Sequence, residues 1–170
     1  RRIRFERLYA CKTVLTTHVK KGYLEQLLNE ITVMRTLDHP YILQLFEVYQ
    51  VKRKIWLITE LCTGGDLTSR KLSERQSTVV IEQILQALTY MHRHGILHRD
   101  VKLENILYKH NGKDSTIRLI DFGLSKTFDR GEKTRQAVAA AYALSPEMAQ
   151  GKKGEYTAKT DIWGVGVVAW

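Results

Sequence analysis

The sequence predicts an α+β fold in two lobes, with a seam near residues 61–66. Three observations lead there. Segments rich in β-branched and aromatic residues fall mainly before residue 61, and helical periodicity dominates after it. Between them "CTGGD" breaks both patterns with a pair of glycines.

"RFERLYACKTV" has the content of a strand. From Tyr23 to Leu37 the apolar residues Leu24, Leu27, Leu28, Ile31, Met34 and Leu37 follow helical spacing, and Asp38-His39-Pro40 stops the run. Ile42 to Val48 and Ile55 to Leu61 read as strands around the polar turn "QVKRK". Past the glycines, Ser73 with Gln76 three residues on has capping-box spacing. The helix it opens carries Val80, Ile81, Ile84, Leu85, Leu88 and Met91 on one face, and Gly95 suits its C-terminal cap. Short apolar segments follow around Ile106 and from Ile117 to Ile120, separated by "KHNGKDST". The last element, Thr160 to Trp170, is apolar nearly all round and predicts a buried helix.

A chain of 170 residues, 44% apolar and 26% charged, suits one soluble domain able to bury a core. No apolar run approaches the roughly 18–20 residues that span a bilayer, so no membrane association is expected. The basic "RRIRFER" is followed by no apolar signal region, and a cytoplasmic location is expected. Cys11 and Cys62 lie far apart without metal-type spacing and read as buried free thiols. The net charge of +9 is scattered along the chain without interleaved aromatic residues, which argues against a nucleic-acid partner.

The chemistry-bearing signal is "ILHRDVKLEN" followed by "RLIDFGLSK". A lone His-Arg-Asp triplet is weak. With a Lys two residues and an Asn five residues after the Asp, and Asp-Phe-Gly about twenty residues on, it becomes specific. Here the chain resembles the eukaryotic protein kinases. From "LNEITVMRTLDHPYI", "LITELCTGGDL" and "IDFGLSK" it looks most similar to the calcium/calmodulin-dependent and calcium-dependent Ser/Thr kinases. The resemblance covers essentially the whole chain and implies a two-lobed kinase fold, with ATP and Mg2+ as cofactors.

It also implies roles. Asp100 would accept or orient the substrate hydroxyl proton, Lys102 would neutralise charge on the moving phosphoryl group, and Asn105 and Asp121 would hold Mg2+. The Lys two residues after the Asp is the Ser/Thr form. "YACKT" makes Lys12 the α/β-phosphate lysine, with Glu30 as its partner from the first helix. The peptide groups of Glu60 and Cys62 would meet the adenine edge, with Thr59 guarding the back of the pocket and Asp66 contacting the ribose. Met34, Leu45, His98 and Phe122 match a stacked spine, and Asp161 matches the residue that anchors the catalytic loop. Taken singly, Asp100 and Asp121 would read as loop caps, and Lys12 and Glu30 as surface charges.

The pattern also departs from the family. No G-x-G-x-x-G precedes Lys12, and the pairs Gly151/Gly154 and Gly164/Gly166 have the wrong spacing and context. The chain stops just after "DIWGVGVV", so the helices that wrap this element in the family are missing and an apolar helix is expected to be left exposed. The expectation is therefore a partial kinase domain cut at both ends: 1–61 from the N-lobe, 62–66 the hinge and 67–170 part of the C-lobe. The stretch from Gly65 to Ser73 is short, which reduces the family's small helix to a turn. In "QAVAAAYALSPE", Ser145-Pro146-Glu147 matches Ala-Pro-Glu, and this places Ala139-Ala140 where the family carries Gly-Thr. The resemblance pairs Glu147 with an arginine beyond this segment, and pairs Arg99 with a phosphate on Thr134 or, second, Thr127. Glu132 is the alternative partner. Expected partners are a Ser/Thr protein substrate and Ca2+/calmodulin or EF-hand regulation from outside the chain. The other reading is a pseudokinase or interaction module with weak or no catalysis.

Overall fold

The computed structural model describes residues 8–17, 21–127, 144–149 and 157–170. The expectations placed on Glu132, Thr134, Ala139 and Ala140 lie outside them.

Strand β1 (Tyr9–Leu15) pairs antiparallel with β3 (Lys54–Glu60), which pairs on its other side with β2 (Leu45–Val51). β3 shows the period-2 pattern of a half-buried strand, with Ile55, Leu57 and Thr59 turned inward. Its register with β1 sets Lys12 opposite Leu57. The β2–β3 connection is the two residues Lys52-Arg53, with Lys52 in the left-handed region at φ 52°.

The second strand begins three residues later than its apolar run suggests. Ile42 leaves it to form a parallel bridge with Leu119, supported by Leu43 N–H to Leu119 O at 3.0 Å and Leu119 N–H to Tyr41 O at 2.8 Å. One apolar run thus serves both lobes, and Ile42 is buried where they meet.

Helix α1 (Lys21–Thr36) buries Leu27, Ile31 and Met34. Leu28, predicted on that face, is exposed, because the next position on a helix is rotated about 100° from Leu27. Helix α2 (Glu74–Arg93) opens with the predicted capping box: Gln76 N–H donates to Ser73 Oγ at 3.4 Å, and Ser73 N–H donates to Gln76 Oε1 at 3.0 Å. Val80, Ile84, Leu88 and Met91 form its buried stripe, while Leu85 lies outside it. Gly95, at φ 68°, takes the left-handed position after the helix. Between β3 and α2 the chain forms only one short 3-10 turn, Leu67–Ser69.

The remaining short strands are β4 (Ile96–Leu97), β5 (Ile106–Tyr108), β6 (Ile117–Leu119) and β7 (Lys126–Thr127), paired antiparallel as β4–β7 and β5–β6. A single turn, α3 (Pro146–Ala149), precedes α4 (Ala158–Ala169).

The last helix is partly exposed, as expected for an apolar element without the helices that wrap it in the family. α4 buries Thr160, Asp161, Gly164 and Val165, but Ile162 and Trp163 are exposed. It packs on one side only, toward α2 and the loop that carries Val101, and its close approach requires a glycine. A Cβ on Gly164 would lie 2.8 Å from Val101 Cβ and 2.9 Å from its carbonyl oxygen. No helix among the described residues is long and apolar enough to cross a membrane.

Candidate active site

The loop between β4 and β5 carries His98, Arg99, Asp100, Lys102 and Asn105. Its backbone is held from α4. Asp161, buried, accepts the N–H of Arg99 on Oδ1 at 2.7 Å and the N–H of His98 on Oδ2 at 3.0 Å. His92 Nε2 lies 2.7 Å from the same Oδ2. The bend this enforces shows at Arg99, whose φ of 67° is rare for a side-chain-bearing residue. The Arg99 guanidinium is folded inward, and its Nε donates to Leu124 O at 2.5 Å.

His98 is fully buried, with its ring 5.4 Å from that of Phe122 in an edge-to-face contact. Burial holds its pKa below the usual value, against opposing effects from Asp161 and the Ile120 carbonyl. The neutral ring fits one tautomer: Nε2–H donates to Ile120 O at 3.0 Å, and Nδ1 accepts the N–H of Asp100 at 3.3 Å. Met34 and Leu45 share the core with Phe122, so all four spine positions are buried.

Asp100 is 4% exposed and its two carboxylate oxygens are unlike. Oδ2 accepts from Lys102 Nζ at 2.7 Å and from Asn105 Nδ2 at 2.8 Å. Oδ1 is buried with no hydrogen-bond partner. An unsatisfied buried acceptor is costly, about 1–3 kcal/mol or more when charged, and such atoms mark functional positions. Asn105 Nδ2 also donates to Asp100 O at 2.9 Å, so its Oδ1 is the amide atom left to accept.

Asp121 makes no hydrogen bond to that cluster among the described residues. Its φ is 65°, its side chain is exposed, and Oδ1 accepts the N–H of Gly123 at 3.3 Å. No ion pair joins it to Lys12 among the described residues. Lys12 is instead held by Glu30, with Nζ 3.0 Å from Oε1 and 3.3 Å from Oε2. The expected strand–helix pair is therefore formed. A neighbour the motif reading missed secures it: Asn29 Nδ2 donates to Ser125 O at 2.7 Å and ties α1 to the segment after Asp-Phe-Gly.

At the seam, Thr59 is buried on β3 and Cys62 is half-buried, whereas Cys11, expected to be buried, is exposed on the edge strand β1. Burial, reinforced by Glu60, pushes the Cys62 thiol up to about 11, so it is protonated and inert at neutral pH. Among the described residues the Cys62 N–H has no hydrogen-bond acceptor. Asp66 is partly occupied, since its Oδ1 accepts the N–H of Thr68 at 2.9 Å and caps the 3-10 turn.

A second pair missed from sequence crosses the seam. Glu60 Oε1 accepts from Arg118 Nε at 2.6 Å and from Gln44 N–H at 3.1 Å, with both charged side chains largely buried. Glu147 accepts from Thr160 Oγ1 at 3.2 Å.

The described residues thus bring together Asp100, Lys102 and Asn105 as one set and Lys12 and Glu30 as another, with Thr59 to Asp66 along the seam. They contain no group of three or more His, Cys, Asp or Glu side chains arranged to hold a metal. The donor set the sequence suggests is smaller, one amide and one carboxylate. Comparison with known families matches residues 2–170 to the protein kinase domain. The chain belongs to that family.

Among its relatives, a calcium/calmodulin-dependent protein kinase type 1 of Caenorhabditis briggsae is 41% identical over 168 residues, covering 96% of this chain and 46% of that protein. The type 1 enzyme of Caenorhabditis elegans is 40% identical, covering 96% and 47% respectively. Calcium-dependent protein kinase 5 of Plasmodium berghei is 39% identical, covering 86% and 26%. This kinase-family chain therefore spans about half, or less, of the length of the curated relatives it matches.

Proposed function

We propose that the chain forms the catalytic region of a protein serine/threonine kinase that moves the γ-phosphate of ATP to a Ser or Thr hydroxyl of a protein substrate. The observation that carries this reading is the unpartnered Oδ1 of Asp100. Lys102 and Asn105 hold the other oxygen, so the carboxylate is fixed while one acceptor stays open for a substrate O–H. As the substrate oxygen attacks the γ-phosphorus, its proton passes to Asp100 Oδ1 and the bond to the ADP oxygen breaks. Lys102, beside Asp100, offsets charge on the transferring group.

Lys12, oriented by Glu30, binds the α/β-phosphates. The free N–H of Cys62 and the peptide group of Glu60 meet the adenine edge, Thr59 closes the back of that pocket, and Asp66 reaches the ribose. Residues 62–66 act as the hinge between an N-lobe part, 1–61, and a C-lobe part, 67–170. Asn105, through its amide oxygen, and Asp121, through its exposed carboxylate, fit Mg2+ as hard oxygen donors. When bound, that ion neutralises phosphate charge. The names of the relatives support control by calcium or calmodulin from elements outside this chain, and a cytoplasmic site of action goes with the same proposal.

The test is transfer of labelled phosphate from ATP to a mixture of Ser- and Thr-containing peptides. Asp100→Asn should lower the rate by about 10²-fold or more; equal rates would reject the proposal. Ala139-Ala140, in place of Gly-Thr, favours a second reading as an interaction module with weak catalysis. Absence of any thermal shift at millimolar ATP and Mg2+ would support that reading.

A further inference from the structure

A groove of about 440 Å3 lies between the start of α2, the segment before it and the β5–β6 hairpin. It plays no part in the chemistry above, and its lining is one-sided in charge. Arg70, Lys71, Arg75 and Lys113 line it, and no aspartate or glutamate does. Glu74 and Asp114 are the sequence neighbours of two of these cations, yet no ion pair among the described residues involves them. Arg70 is fixed in place. Its guanidinium donates to Gly112 O at 3.1 Å and His110 O at 2.8 Å, and lies 3.9 Å over the Tyr108 ring. Its partners are neutral carbonyls, so its charge stays uncompensated.

A second feature points to a ligand independently. Tyr108 lines the same groove, is only 3% exposed, and its hydroxyl has no hydrogen-bond partner. Burial raises its pKa, so the phenol remains a neutral donor in search of an acceptor. Leu72 and Val79 add apolar lining beside the cations.

We propose that this groove docks an extended acidic segment of a partner protein. Its carboxylates meet Lys71, Arg75 and Lys113, one of them accepts the Tyr108 O–H, and an interspersed apolar side chain rests on Leu72 and Val79. A concave site mixing cations with apolar side chains fits such a peptide better than it fits nucleic acid or membrane. Nucleic acid calls for bases stacked on accessible aromatics, and the one aromatic here lies beneath Arg70. A lipid surface calls for protruding apolar residues. The floor strand β5 starts directly after Asn105, so a docked partner would sit on an element continuous with the catalytic loop.

The experiment is fluorescence anisotropy of the whole chain with a labelled peptide alternating Glu and Leu, beside its Lys/Leu counterpart, duplex DNA and phosphatidylserine vesicles. The acidic peptide should bind, and the Lys/Leu peptide should not. Arg75→Glu with Lys113→Glu, both at exposed positions, should weaken binding by about tenfold or more. Tyr108→Phe should weaken it by a few-fold. Raising salt from about 0.05 to 0.5 M on the unaltered chain should weaken it as well, a check that does not depend on any variant folding. Acidic-peptide binding indifferent to salt and to the charge reversals would overturn the proposal. So would equal binding of the Lys/Leu peptide, or tighter binding of DNA or vesicles that the same reversals abolish.

Discussion

Asp161, on the first turn of α4, receives the backbone N–H of Arg99 at 2.7 Å across 62 residues of sequence. One buried carboxylate thereby sets the path of the loop that presents Asp100. Asp161→Ala would strand the N–H groups of His98 and Arg99 and remove the carboxylate beside His92. The expected loss is about 3–5 kcal/mol, the range for breaking a buried charged network from one side. Urea denaturation of the two proteins measures it, and a difference under about 1 kcal/mol would show that the loop holds itself.

Asn29 offers a milder test, at the other end of the site. Its amide joins α1 to Ser125 O, and the next residue, Glu30, holds Lys12. Asn29→Ala should cost about 1 kcal/mol of stability, the worth of one hydrogen bond, because α1 keeps its buried stripe. Its larger effect should fall on the Lys12–Glu30 pair and appear as weaker ATP binding in a calorimetric titration. Unchanged affinity would mean that core packing alone positions the helix.

These two residues also show what could be read from sequence. Asp161, Lys12, Glu30, Asp100, Lys102 and Asn105 sit in ordered motifs, and the structure pairs Lys12 with Glu30, Lys102 and Asn105 with Asp100, and Asp161 with the backbone of the loop that carries Asp100. The α2 cap was legible because Ser73 and Gln76 interact within one turn. Asn29–Ser125 and Glu60–Arg118 were not, being 96 and 58 residues apart, with no local pattern to mark either. The division of one apolar run between Ile42 and β2 has the same origin. Periodicity reports burial, not which lobe does the burying. Leu28 and Leu85 failed as core residues because an apolar residue at the edge of a helical stripe gains burial only where a neighbouring element covers it.

The Glu60–Arg118 pair should behave as a coupled unit. Each side chain is largely buried, and Arg118 Nη1 also donates to Ile117 O at 2.8 Å. Removing one partner leaves a buried charge behind, so Glu60→Ala and Arg118→Met should each destabilise by about 3 kcal/mol. The double variant should lose clearly less than the sum, because neither charge remains stranded. Denaturation of the four proteins yields the coupling energy, and strict additivity would mean the two side chains act independently.

His98 predicts how stability changes with acid. Burial holds its pKa below the ordinary 6.5, against the pull of Asp161 and the Ile120 carbonyl, so the folded protein keeps the ring neutral where the unfolded chain would protonate it. Below pH 6.5 the unfolded state therefore binds more protons than the folded one. Stability is fully present above that pH and falls as the pH drops through it, by up to about 1.4 kcal/mol per unit for one group. His39, also held low chiefly by burial, adds in the same direction. His98→Gln removes one titrating group, so its melting temperature should fall less steeply between about pH 7 and 5.5, even if its stability at pH 7 is lower. The slope is the decisive readout. Loss of the Nε2–H bond to Ile120 lowers stability at every pH, whereas only loss of the proton-binding group flattens the curve. An unaltered slope in His98→Gln would assign the acid sensitivity to His39 or to the carboxylates instead.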